Sequence, residues 1–399
     1  MKDKLKSSIK RIGIDARFYG PVGKGLGRYT QEIVDNIIKI DTVNEYVIFL
    51  NQDNYDEFKI PKGQEHRIKK VRANTRWYTL AEQIKMPLII LKQNLDLIHF
   101  PHFNVPIFCP VKFVVTIHDL ILIKHPTKRA TTLSPWMYWL KNLAYRINIW
   151  ITVQRAKKII AVSKYTKKDL IKTFHIKQDR IAVTYEGVSN LAKGHDSLFS
   201  SKLNDKETLL GYNIDKPFLI YVGNAYPHKN LLMLVKVFKQ LIQERPDLRL
   251  VLVGKEDHFY RELKDQTRQL GLWIQGQAEH SSVVFPGYVP DQELEVMYQK
   301  AIAYVFPSLY EGFGLPPLEA MAKGCPVVSS DRTSMPEILG KAALFFDPEN
   351  EKEIKQALEK IIENQELRQR LIKLGKERVK RYNWWECARQ TKEIYNQIL

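Results

Sequence analysis

Cysteine is scarce in this chain: Cys109, Cys325 and Cys387 are the only three among 399 residues. Three widely spaced thiols argue against a disulfide framework and fit no metal-ligand spacing, so a reducing cytoplasm is the expected setting. Long apolar runs are missing as well. None approaches the roughly 18 residues needed to cross a bilayer, and the first fourteen residues have basic side chains but no apolar core, so no signal peptide is expected. Several short signatures are also absent. Without Gly-x-Ser-x-Gly or His-Glu-x-x-His, the common serine-hydrolase and zinc-protease readings find no support. Gly23-Lys24 is followed by Gly25 rather than Ser or Thr, which excludes a phosphate loop of the Walker type. Glycines at 23, 25 and 27 have the wrong spacing for a dinucleotide fingerprint. No Asp-x-Asp occurs anywhere. A glycosidase would need two carboxylates facing each other in space, which a sequence does not display.

Acidic residues are in deficit, 44 against 62 basic ones, and the net charge is +18. The excess is uneven: residues 1–200 carry +17 and residues 201–399 carry +1. Segment 124–180 holds 14 basic residues and two acidic ones, Asp169 and Asp179, together with Trp136, Tyr138, Trp139, Tyr145 and Trp150. A basic face with amphipathic aromatics suits an anionic membrane surface. The plainer alternative is a solvated helix with a core-facing apolar stripe. Nucleic acid is a third reading of the charge, but no nucleic-acid-binding signature accompanies it.

The length predicts two domains. Short β-branched runs alternate with longer amphipathic stretches. Strands are expected at 11–15, 46–50, 97–100, 113–117, 159–162 and 181–184, and again at 218–222, 248–253, 283–285, 303–306, 327–329 and 343–346. Such alternation predicts α/β architecture with two doubly wound, Rossmann-like parallel sheets, and a ligand cleft at their strand ends. The rhythm falters near 187–213. We therefore expect an N-terminal domain over 1–190, a linker over 191–213 and a second domain over 214–382. A last helix, 383–399, is expected to cross back to the first domain.

The most informative stretch follows the strand at 303–306. It reads Glu311-Gly312-Phe313-Gly314-Leu315-Pro316-Pro317-Leu318-Glu319. Gly312 and Gly314 allow unusual backbone angles and close ligand approach, and Pro316-Pro317 fits a first helical turn. A flexible loop thus opens onto a helix N-terminus, where free amides favour an anion such as a diphosphate. Glu319 is expected in that first turn. It either complements the helix dipole or accepts the vicinal hydroxyls of a ribose. Glu311, ahead of the loop, is a candidate for binding sugar hydroxyls or stabilising positive charge at an anomeric carbon.

This segment resembles the Glu-x7-Glu motif of the retaining glycosyltransferases of family 4, which have the GT-B fold. The turn from Tyr221 to Asn230, the strand and loop 283–289, Ala161-Val162-Ser163, Thr116-Ile117-His118-Asp119, the Gly-rich loop 20–28 and Trp384-Trp385-Glu386 resemble further landmarks of that family, in order. The resemblance implies a GT-B enzyme that moves a sugar from a nucleotide-sugar donor to an acceptor hydroxyl. It places Glu311 at the donor sugar, Glu319 at the ribose, and Lys229 at the diphosphate. Backbone groups of Phe313, Gly314 and Leu315 are placed at the sugar and phosphate, and Gly223 and Asn224 in the phosphate turn. Tyr288 and Val289 fall beside the base, and Gly23, Gly25 and Gly27 in an acceptor-side phosphate loop. His118 is placed at the sugar, with Asp119 as its orienting neighbour.

Many relatives carry Arg where this chain has Asn224, and His228 is a nearby polar substitute. Some relatives using nucleotide-mannose or deoxysugar donors also lack that Arg and have Pro-x-Lys-Asn at this turn, a resemblance that favours GDP-mannose or a similar donor. Lacking Asp-x-Asp, the chain is expected to need no metal, with Lys229 offsetting the leaving charge. The expected acceptor is a saccharide or lipid-linked saccharide, and the expected role is surface-polysaccharide assembly on the inner face of a membrane. Two rivals are a non-catalytic nucleotide-sugar-binding protein and another GT-B enzyme, such as a nucleotide-sugar epimerase or sugar-phosphate synthase.

Overall fold

A computed structural model describes residues 9–126, 135–188, 204–277 and 280–399; the side chain of Tyr138 and most of the expected linker, 191–203, lie outside the described residues. Among the described residues, thirteen strands form two wholly parallel sheets. The first contains β1 (Arg11–Asp15), β2 (Glu45–Leu50), β3 (Ile68–Arg72), β4 (Leu97–Phe100), β5 (Phe113–Ile117), β6 (Lys158–Ala161) and β7 (Ile181–Val183), in the order β3-β2-β1-β4-β5-β6-β7. The second contains β8 (Phe218–Val222), β9 (Arg249–Val253), β10 (Val283–Gly287), β11 (Ala303–Phe306), β12 (Val327–Ser330) and β13 (Ala343–Phe346), in the order β10-β9-β8-β11-β12-β13.

Strand composition explains the layering. β5 (FVVTI) and β9 (RLVLV) are buried along their whole length. Parallel strands of this kind need cover on both faces. The helix Leu231–Glu244 supplies such cover, burying Leu231, Leu234, Val235, Val237, Phe238 and Leu241. Helix starts are fixed by short polar side chains that accept orphan amides: Thr79, Ser163, Asp257, Asn350 and Asn383 each cap one.

The strand β3 does not match any expected one. Its sequence, IKKVR, carries three basic residues in five and lies at the sheet edge. Charged residues on an edge strand deter pairing with another chain and also mask the apolar pattern. A second difference falls in the expected linker. Asp205–Gly211 is a helix, capped by Asn204, whose side chain accepts from the amides of Lys206 and Glu207.

Two compact units result. One joins the residues up to Ile123, the segment ending at Gly187, and Asn383–Leu399; the other comprises Val188–Tyr382 with the short stretch 124–132, of which 124–126 are described. The helix Trp384–Asn396 packs on the helix Lys24–Ile40. Tyr395 bonds His99 Nδ1 at 2.6 Å, and Lys392 pairs with Asp41 at 3.7 Å. Gly187 leaves room for Trp384, since a Cβ there would lie 2.2 Å from the Trp384 nitrogen.

Candidate functional site

In each sheet the strand order reverses at one pair of neighbours, β1 with β4 and β8 with β11. Chains leaving such a pair diverge to opposite sides, and open α/β sheets receive ligands in the crevice this leaves at the carboxyl ends.

In the second unit, Lys229 comes from the turn after β8 and Glu311 from the loop after β11. Lys229 Nζ and Glu311 Oε1 are 2.5 Å apart, with side chains only 12% and 10% exposed. The ammonium also lies 5.5 Å from the centre of the Phe306 ring. Residues 82 positions apart in sequence are thus joined at the reversal point. Hydroxyl side chains near the end of β12 fix the Glu311 loop. The Glu311 amide donates to Thr333 Oγ1 at 3.0 Å. The Ser334 hydroxyl donates to the Glu311 carbonyl at 3.0 Å and the Phe313 carbonyl at 3.3 Å. Ser330 donates to the Ser308 carbonyl at 2.6 Å. Thr333 has a φ of 56°, rare for a β-branched residue. Such strain costs on the order of 1–3 kcal/mol and concentrates at working sites.

Gly314 stands at φ 94° before the helix Leu315–Ala322, and a Cβ there would meet Met335 Cε at 2.4 Å. Because this helix starts at Leu315, the half-buried Glu319 belongs to its second turn rather than its first. Dipole complementation fades beyond the first turn, so that plain explanation of Glu319 weakens. The Phe313 ring is in the core, 5.5 Å from that of Tyr382, which leaves only its backbone available to a ligand.

The turn after β8 clarifies the departure at Asn224. Its side-chain oxygen accepts from the Tyr226 amide at 3.4 Å, holding the local turn. Burial, reinforced by the neighbouring Lys229 charge, pushes the His228 pKa down to about 4 and so disfavours a second cation at this position. Beyond β10, Tyr288 is 74% exposed and follows Gly287 at φ 79°, whereas Val289 is buried.

In the first unit, His118 follows β5, the neighbour of β4. Its orienting carboxylate is Glu186, 3.0 Å from Nδ1, and not Asp119, whose Oδ1 accepts the Ile121 amide at 2.8 Å. His118 Nε2 lies 2.9 Å from the Pro101 carbonyl. Burial alone would lower the His118 pKa, but the hydrogen bond and charge of Glu186 and the bond to Pro101 outweigh it, and the pKa is raised. Proximity in sequence misled here. The signal for Glu186 was its place just past the carboxyl end of β7.

The Gly-rich segment is also less of a loop than expected. Residues Pro21–Gly23 form a 3-10 turn and the helix Lys24–Ile40 has already begun at Gly25 and Gly27. Gly27 permits tight packing, since a Cβ would stand 2.1 Å from the Gly20 carbonyl oxygen; at Gly23 the corresponding distance to the Phe18 oxygen is 2.4 Å. Gly25 borders open space, with nothing within 4 Å of a built Cβ.

Two family models match the chain: Glycosyltransferase Family 4 over residues 23–190, and Glycosyl transferases group 1 over residues 207–378. An O-antigen chain mannosyltransferase of Escherichia coli is 29% identical over 394 residues, covering 93% of this chain and 95% of that protein. A sucrose-phosphate synthase of Thermosynechococcus elongatus shares the fold with a TM-score of 0.71 at 20% identity, covering 98% of this chain and 99% of that one. The Anabaena HepE protein in complex with UDP-glucose superposes with a TM-score of 0.68 at 18% identity, covering 98% of this chain and all of that one. Paired parallel sheets, the Glu311 loop and these matches lead to one conclusion: the chain belongs to the group 1 glycosyltransferases of the family 4 type and is a glycosyltransferase with the GT-B fold.

Proposed function

We propose that the chain transfers mannose from GDP-mannose, or a closely similar sugar from a similar donor, to a hydroxyl of a saccharide or lipid-linked saccharide, retaining the anomeric configuration without a metal. The Lys229–Glu311 pair at the β8–β11 reversal carries this reading, because it sets a cation for a diphosphate beside a carboxylate for a sugar. The O-antigen chain mannosyltransferase, similar over nearly its whole length, supports mannose and a surface polysaccharide.

The bond between the anomeric carbon and the phosphate oxygen breaks, and its electron pair leaves with the diphosphate. Lys229 offsets that charge. Glu311 stabilises positive charge at the anomeric carbon, while Glu319 accepts the ribose hydroxyls. The acceptor oxygen bonds to the same face of the sugar and passes its proton to the departing phosphate oxygen. Within the first unit, His118 and Gly25 are the candidates for ligand contact.

The acceptor is drawn from the inner surface of a membrane in this reading. Among the described residues no helix is long and apolar enough to cross one. The helix Pro135–Arg155 instead presents Trp136, Trp139 and Trp150 at 66%, 63% and 54% exposure, interleaved with Lys141 and Arg146. Ile149, Val153 and the Tyr145 ring turn the other way, into the core. A second row, Leu80, Ile84 and Leu88, is exposed on the helix Leu80–Leu91.

Isothermal titration with GDP, UDP, dTDP and ADP in chelator tests the donor. Selective binding of one nucleotide, weakened in Glu319→Ala, is expected. Binding only after a divalent metal is restored would overturn metal independence. An inverted anomeric signal in the product would overturn retention.

A further inference from the structure

Three successive carbonyls at the end of β8 each accept from a buried tyrosine hydroxyl. Tyr304, on β11, donates to Val222 at 3.1 Å. Tyr260, on the helix His258–Gln269, donates to Gly223 at 2.9 Å and shares its proton with Val253 at 3.0 Å. Tyr221, on β8 itself, donates to Asn224 at 2.7 Å. All three rings are at most 1% exposed. Filling the core requires only phenylalanine, and a buried hydroxyl costs free energy unless it is bonded. Here the hydroxyls, reaching in from different elements, converge on three successive residues, Val222, Gly223 and Asn224.

Two glycines make room for them. A Cβ on Gly223 would stand 2.6 Å from the Tyr221 hydroxyl. A Cβ on Gly254 would stand 2.2 Å from the Gly223 oxygen and 2.4 Å from the Tyr260 hydroxyl. In a trans peptide the N–H points opposite to the C=O. Drawing the Gly223 and Asn224 carbonyls into the domain therefore turns the Asn224 and Ala225 amides outward. Among the described residues those amides donate to no protein acceptor. Lys229 follows four residues later.

We propose that Tyr221, Tyr260 and Tyr304 are positioning residues for the diphosphate of the donor. They pin the turn after β8 with its amides toward the phosphates and its carbonyls away from them. The inference rests on the reading of this turn as the donor's phosphate site. The diphosphate of a nucleotide sugar, esterified at both ends, carries no proton at neutral pH and only accepts hydrogen bonds, so a carbonyl rotated outward would repel it. Without the clamp, the peptides after Gly223 and Asn224 are free to rotate, and diphosphate binding must first select the amide-out form.

The test compares nucleoside diphosphate with nucleoside monophosphate affinity by calorimetry, using whichever of GDP, UDP, dTDP and ADP binds the wild-type chain. The variants are Tyr221→Phe, Tyr260→Phe and Gly254→Ala, the last displacing the clamp from a neighbouring strand end. Tyr395→Phe, which removes an equally buried hydroxyl from the other unit, is the control. The preference for diphosphate over monophosphate should fall about tenfold in Tyr260→Phe. It should fall in Tyr221→Phe and Gly254→Ala as well, and stay unchanged in Tyr395→Phe. Equal weakening of both ligands, or an unchanged ratio in folded Phe variants, would assign the hydroxyls to stability alone and overturn the proposal. Failure of the wild-type chain to bind any of the four diphosphates would overturn the phosphate-site reading first.

Discussion

The His118–Glu186 pair sets up a measurable dependence on pH. Both ring nitrogens of His118 face acceptors, Glu186 Oε1 at 3.0 Å and the Pro101 carbonyl at 2.9 Å. Neutral imidazole has one N–H and cannot serve both; imidazolium serves both. Asp119 adds to the negative surroundings, while the nearby His99 and His102 are kept neutral by burial, His99 with a pKa pushed down to about 3. The folded-state pKa of His118 is thus raised above its ordinary 6.5. For a raised pKa, the stabilisation is full below the unfolded value and disappears as pH rises through the folded one. Glu186→Gln keeps one acceptor but removes the charge. A hydrogen bond to a charged group is worth about 1.5–3 kcal/mol, so the variant should be less stable by about that much at mildly acidic pH, and the gap should narrow as pH rises past the wild-type His118 pKa. Unfolding of a two-unit chain need not be two-state. The primary assay is therefore an NMR titration of the His118 ring, which should move to lower pH in Glu186→Gln. Superimposable titrations, or stability curves separated by a constant offset across the range, would refute a charged His118.

The glycines opening the helix Lys24–Ile40 should separate packing from ligand approach. Gly27→Ala, with 2.1 Å to the Gly20 oxygen, should lower the thermal midpoint by the equivalent of about 1–3 kcal/mol. Gly25→Ala should hold or raise it, alanine being better in a helix by roughly 1 kcal/mol; transferase activity lost in this stable variant would mark Gly25 as a point of ligand approach, and full activity would remove it from the site. On flotation with vesicles rich in anionic lipid, the wild-type chain should rise with the lipid at low salt and stay behind at high salt, whereas a variant with Trp136, Trp139 and Trp150 all changed to Ser should stay behind in both. No lipid binding by the wild-type chain would sink the membrane reading.

Much of the fold was legible because buried parallel strands such as FVVTI and RLVLV are continuous apolar runs that little else explains. The edge strand β3 escaped because its lysines and arginine serve to keep neighbours away, which erases the pattern. Within the site, Glu311 could be placed in a loop after a strand from local spacing and glycine chemistry alone. Its hydroxyl supports could not. Thr333 and Ser334 meet the loop from beyond the next strand, and Tyr260 reaches the β8 turn from 37 residues away. His118 shows the same limit from the other side: its partner in space is 68 residues distant, while the adjacent Asp119 turned to its own backbone. Short-range rules predict turns and caps well. They say nothing of partners brought by sheet order.

The helix Trp384–Asn396 belongs to the unit that the chain began building nearly four hundred residues earlier. During synthesis, about 200 residues of the second unit emerge between Gly187 and that helix. At roughly 5–20 residues per second this interval lasts on the order of 10–40 s. Throughout it, the groove beside the helix Lys24–Ile40 lacks its cover and His99 lacks the Tyr395 hydroxyl. The first unit to be translated is therefore the last to be completed, and a ribosome that stalls in the second half leaves an exposed apolar face for chaperones to guard.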